Sequence, residues 1–180
     1  MKKIWYVIIA VVIVIIVFFL IFTHKPKKMN SFRFPETIIV NNYTSIDDAD
    51  TIIKVLINRI FGYDTARINI YYMPLSFDKN DTQIFGFITK NEFESNSYNL
   101  FIAKNDSYNL FTLLSHEFIH FDQMQKGLLV QPAVGYKYNI WMNDTVKLFE
   151  VPYEERKYEI DAYNRCPEVE RKLRKLLYLK

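Results

Sequence analysis

The sequence predicts an α+β domain with a small, mainly antiparallel sheet, preceded by one transmembrane helix. Three observations carry this. Residues 4–22 (IWYVIIAVVIVIIVFFLIF) hold no charge, Gly, Pro or Asn. Three strand-like segments follow one another between residues 67 and 103. The rest of the 180-residue chain is dominated by helical periodicities, and strands grouped ahead of helices point to α+β rather than α/β architecture.

At about 1.5 Å per residue, the apolar run spans roughly 28 Å as a helix, close to the hydrocarbon thickness of a bilayer. It is too long for the apolar core of a cleaved signal peptide, and no A-x-A pattern follows it. Trp5 and Tyr6 suit the headgroup layer at one end. The domains expected are therefore an anchor over 1–23, a Pro-containing basic linker over 24–36 and a folded domain over 37–180. A short Met-Lys-Lys start before the span favours the N-terminus inside and the folded domain outside the cytoplasm.

The anchor also accounts for the charge. The formal net charge is +3, but five of the 23 basic residues precede residue 29, leaving 18 against 20 acidic residues. A slightly acidic domain lacks the basic face that nucleic-acid binding requires, so no nucleic-acid partner is expected. The single cysteine, Cys166, excludes an intramolecular disulfide.

Within the domain, apolar residues from Ala49 to Ile60 recur at spacings of three and four. They predict a helix over 46–61, capped by Ser45 and stopped by Gly62. Strands are predicted at 67–73, 83–89 and 98–103, each rich in β-branched and aromatic residues. A second helix is predicted from Ser107 or Tyr108 to Gly127, capped by Asp106 or Ser107. A hairpin follows, 136–142 against 145–149, turning at Asn143-Asp144. Two helices complete the chain: 153–165 after Pro152, and a last one opened by Pro167.

The second helix contains Ser115-His116-Glu117-Phe118-Ile119-His120, an H-E-x-x-H sequence that takes two of the three histidines. Residues four apart share a helix face, so His116 and His120 can offer two imidazoles to one ion. Glu117 lies one step around, within reach of a metal-bound water. Neutral imidazoles suit zinc, and an adjacent carboxylate suits proton transfer. The pattern predicts one Zn2+ ion held by His116 and His120, with Glu117 as the catalytic group. Ordinary core or surface histidines are the competing reading, and the Glu between them weighs against it. No histidine remains downstream, so the third ligand should be a carboxylate from Glu154, Glu155, Glu159 or Asp161.

Glu159-Ile-Asp-Ala162 resembles the E-x-x-A element of gluzincins, a branch of the zincin metallopeptidases. The resemblance covers the two motif helices and the general order of elements, about a third of the chain. It implies a zincin-like fold, Glu159 as third metal ligand with Asp161 as the alternative, and hydrolysis of a peptide or protein substrate. It also implies that a strand before the motif helix, here 98–103, pairs with extended substrate. The thermolysin branch places an Asp four residues after the ligand Glu; here Tyr163 stands there, leaving Asp161 or Asp122 to orient a histidine. An oxyanion donor is sought among Tyr136, Tyr138, Tyr153, Tyr158 and Tyr163.

The expectation is thus a membrane-anchored zinc metallopeptidase. A catalytically inactive zincin-like binding module on the same tether is the alternative, and retention of Glu117 weighs against it. A third possibility is a tethered structural protein in which the motif is accidental.

Overall fold

The computed structural model describes residues 29–74, 76–77, 83–104, 109–132 and 137–178. The apolar run at 4–22 lies outside them. Among the described residues no helix is long and apolar enough to cross a membrane. The compact unit described here falls within Ser31–Lys180.

The architecture is α+β: a four-stranded sheet packed on three helices, with two small accessory sheets. Strand β1 (Ile38–Asn42) leads into helix α1, which begins at Ala49–Lys54 and continues as a π-helical stretch, Val55–Ile60. Val55, Leu56 and Ile57 of the π-helical stretch are buried in the core. Gly62, at φ +79°, turns the chain out of this helix. Strand β2 (Ala66–Met73) follows, then a short hairpin, β3 (Ser76–Phe77) and β4 (Gln83–Ile84). Next come β5 (Gly86–Lys90) and β6 (Ser97–Ala103).

The main sheet has the order β1-β2-β6-β5. Both β1–β2 and β2–β6 are parallel, and only β5–β6 is antiparallel. The sheet is therefore mixed, not mainly antiparallel. The reason is that α1 carries the chain from β1 back to the start of β2, and such a crossover makes the two strands parallel. The strand β1 was not anticipated: its five residues include two asparagines, and its pairing energy comes from β2. The predicted strand 83–89 divides at Phe85 into β4 and β5.

Helix α2 (Leu110–Gln125) starts later than expected. Asn109 is its cap, with Oδ1 accepting from the N–H groups of Phe111 and Thr112 at 3.0 and 3.5 Å. The caps expected at Asp106 or Ser107 lie outside the described residues. Strands β7 (Leu129–Val130), β8 (Tyr138–Trp141) and β9 (Asp144–Lys147) form a three-stranded antiparallel sheet. Its hairpin turns at Met142-Asn143, both at positive φ, one residue before the predicted turn.

A short 3-10 turn (Tyr153–Glu155) leads to helix α3 (Lys157–Tyr178). The two helices expected on either side of Pro167 are this one helix. Its buried stripe, Ala162, Cys166, Val169, Leu173 and Leu177, runs through the proline without a break. Pro167 faces solvent, and packing of the stripe offsets the backbone hydrogen bond that a proline cannot donate.

The core lies between the sheet and the helices. Ile68 and Ile70 of β2, Ile88 of β5, and Leu100 and Ile102 of β6 are fully or almost fully buried, together with Leu114, Phe118 and Phe121 of α2. Gly86 sits where β5 crosses α2: a Cβ there would stand 3.1 Å from both Leu113 Cδ1 and the Phe101 carbonyl oxygen. A side chain would push the edge strand off the helix.

Candidate metal centre

Helix α2 turns His116, Glu117 and His120 inward, and α3 packs Glu159 against them. All four are buried. The Nε2 atoms of His116 and His120 are 3.2 Å apart, and each is 3.1 Å from Glu159 Oε2. The three ligand-type atoms therefore form an almost equilateral triangle. A tetrahedral ion with bonds of about 2.0–2.1 Å holds neighbouring ligand atoms roughly 3.3 Å apart, so this triangle matches one face of such a site. Among the described residues, His116, His120 and Glu159 are the group of side chains able to hold a metal ion.

The electrostatics agree with a cation at this point. Burial opposes charge on His120, but the hydrogen bond and charge of Glu159 outweigh it and push the imidazole up to about 9. Burial likewise favours a neutral Glu159, yet His116 and His120 draw its carboxyl down to about 2. In the metal-free chain a proton on His120 thus supplies the positive charge that an ion would bring. Glu117 is not part of the triangle. Burial raises its carboxyl above the ordinary range, partly countered by the two histidines and by a hydrogen bond from the Ile88 backbone.

Behind His120 lies Gln123, fully buried, whose role the sequence reading missed. Its Nε2 donates to the Tyr158 carbonyl at 3.0 Å and to Asp161 Oδ2 at 2.8 Å. Both partners are acceptors only, so the amide orientation is settled and Oε1 must face His120 Nδ1, at 2.8 Å. That nitrogen therefore carries the proton, and Nε2 is the atom left to bind an ion. Neither Asp161 nor Asp122 touches a histidine. Asp161 holds Gln123 and Arg165 instead, and stands outside the ligand group. Asp122 is buried among Tyr63, Lys126 and Arg165, tying α2 to α3 and to the end of α1. The signal for Gln123 was present: it lies three residues after His120, on the same helix face.

Of the five tyrosines considered, Tyr153 and Tyr163 reach the site. The Tyr163 ring is 4.7 Å from that of His116. Burial, then the charges of Glu159 and Glu117, raise the Tyr153 hydroxyl, which hydrogen-bonds to Glu159. Tyr158 packs its ring 5.9 Å from His120 and belongs to the cluster of Leu129, Trp141 and Val146. Tyr138 lines the open face of the main sheet, and Tyr136 lies outside the described residues.

Two cavities flank the triangle. One, of about 290 Å3, is bounded by His116 and Glu117 and walled by Ile84, Phe85, Leu113 and Tyr163. The other, of about 200 Å3, touches Glu117, His120 and Glu159. The edge strand beside them is β5, not the expected segment 98–103, which is β6 and lies inside the sheet. Ala103 N–H bonds to Phe85 O, and Asn91 N–H to Ser97 O. The odd-numbered residues of β5 therefore pair with β6, and Gly86, Ile88 and Lys90 turn their backbone groups to the edge, where Ile88 is already engaged by Glu117 and, at 3.3 Å, by Gln131 Nε2.

No protein-family model, curated protein or solved structure matches this chain.

Proposed function

We propose that the protein is a zinc metallopeptidase, with His116, His120 and Glu159 as metal ligands and Glu117 as general base. The single observation that carries this reading is the position of Glu117. A buried carboxylate stands beside a complete ligand triangle without belonging to it, and a site that only stores metal has no use for such a group. Two imidazoles and one carboxylate are a zinc donor set that keeps a fourth position for water. When bound, zinc would polarise the peptide carbonyl and lower the pKa of that water.

The remaining work falls to the chain itself. Glu117 accepts the water's proton and returns it to the leaving amine, a task its raised pKa favours. Tyr153 or Tyr163 donates to the oxygen on which charge develops. The edge backbone groups of Gly86 and Lys90, on either side of the engaged Ile88, align an extended peptide by strand addition. The apolar cavity beside His116 receives a side chain next to the scissile bond. With the apolar run at 4–22 as an anchor, substrates are those met at a membrane surface.

The test is the Glu117→Gln variant of the full-length chain. It is expected to keep about one zinc per chain and to lose peptide hydrolysis by roughly two to four orders of magnitude. Undiminished hydrolysis would remove Glu117 from the reaction. Absence of stoichiometric metal from the folded parent chain would end the metallopeptidase reading.

A further inference from the structure

The face of the main sheet turned away from the helices carries two rows of side chains across the strands. The first is an amide row. Asn41 pairs with Asn69, and Asn69 with Asn99, in strand register, and their side chains bond at 2.8 and 3.1 Å. The second is a row of rings, Tyr43, Tyr71, Phe101 and Phe87, stacked at 5.1, 5.6 and 4.8 Å. Such ladders stabilise a sheet by themselves. Three further features go beyond that role. The end rings keep ring surface uncovered, with Tyr43 64% and Phe87 40% exposed. The two rows floor an open trough of about 1500 Å3. That trough shares Phe87, Gln131, Asn139 and Leu148 with the cavity over Glu117, His120 and Glu159. At this junction Gln131 Oε1 is buried without a hydrogen-bond partner among the described residues.

We infer that this face binds a neutral oligosaccharide bearing N-acetylated sugars, and that the peptide cut at the metal centre is carried on such a glycan. The second clause rests on the peptidase reading; the first does not. The chemistry selects the ligand. Amide side chains both donate and accept, which matches sugar hydroxyls and acetamido groups, and exposed rings match the C–H faces of pyranoses. Gln131 Oε1 offers an acceptor to one more hydroxyl. The charged residues of the trough are Arg67, Lys90, Glu92 and Glu94, which cancel, and Arg67 lies 3.6 Å from Glu94. A neutral surface suits neither a nucleic acid nor an anionic lipid surface. An extended peptide is recognised at a strand edge through free backbone groups, whereas on this face the backbone groups are already paired.

The test is calorimetric titration of the full-length Glu117→Gln chain with an N-acetylglucosamine hexamer. Saturable binding is expected, weakened roughly threefold to tenfold by Tyr43→Ala and by Asn99→Ala, with melting curves confirming that both variants fold. No binding, or equal affinity in folded variants, overturns the inference. So does finding the face occupied by a second copy of the chain in sedimentation, or by anionic vesicles. Zinc content measured on the same samples separates the two readings. Hexamer binding without zinc would defeat the peptidase and spare this face; zinc without hexamer binding would do the reverse.

Discussion

Gln123→Ala gives the sharpest test of how the metal centre is organised. The substitution deletes the acceptor 2.8 Å from His120 Nδ1 and the donor to Tyr158 O and Asp161 Oδ2, at 3.0 and 2.8 Å. Each bond contributes about 0.5–1.5 kcal/mol net, and a buried partner left unpaired costs about 1–3 kcal/mol. Arg165 still satisfies Asp161 and the Tyr158 carbonyl sits within α3 as a helical acceptor, so the main orphan is the His120 ring, beside the three bonds lost. The metal-free domain should therefore lose about 2–4 kcal/mol. Without its acceptor His120 is free to turn, and metal affinity should fall roughly 10- to 100-fold, the usual cost of losing an outer partner of a histidine ligand. The Gln123→Glu variant separates the two effects. It keeps an acceptor for His120, so metal affinity should stay near the parent's. It turns an oxygen toward Tyr158 O and Asp161, so stability should still fall. Affinity is read by competition with a chromophoric chelator, stability by denaturant melts, and the protonated ring nitrogen by 15N NMR. Parent-like metal affinity in a folded Gln123→Ala chain, with His120 Nδ1 still protonated, would refute the orienting role.

Three other outcomes are expected. Gly86→Ala, with its Cβ 3.1 Å from Leu113 Cδ1 and Phe101 O, should displace β5 from α2 and reduce hydrolysis more than metal binding, measured as activity against zinc content. His120 titrates at about 9 in the folded metal-free chain against an ordinary 6.5. Its stabilising contribution is therefore whole below pH 6.5 and lost as pH rises through about 9, while zinc affinity rises over the same interval as the competing proton leaves; melts and chelator titrations across that range check both signs. Pro167→Ala should stabilise the domain by about 1–3 kcal/mol in denaturant melts, because α3 is continuous there; no gain would mean two helices meet at Pro167.

Local pattern carried much of the site. H-E-x-x-H is legible because helix geometry alone puts residues 116 and 120 on one face. The E-x-x-A resemblance singled out Glu159, and the structure brings that residue, and not Asp161, against both histidines. Helix α2, strands β2 and β6 and the β8–β9 hairpin were readable from period and turn residues. Boundaries drifted where neighbouring residues offered rival signals: Asn109, bonded to Phe111 and Thr112, caps α2, and Phe85 divides a strand that looked continuous.

The sequence by itself determined the chemistry available: which residues can bind a metal, which carboxylate stands beside them, and that 4–22 forms an apolar run. Tertiary structure decided everything that depends on residues distant along the chain. Parallel pairing of β1 with β2 follows from the path of α1, and β5, not β6, becomes the edge because β6 inserts beside β2. Pro167 stays helical because the stripe from Ala162 to Leu177 packs as one surface. Gln123 gains its role only when α3 brings the Tyr158 carbonyl and Asp161 against its amide. Periodicity records which way a side chain points relative to its own element; what it meets there depends on packing between elements, and local sequence does not encode that.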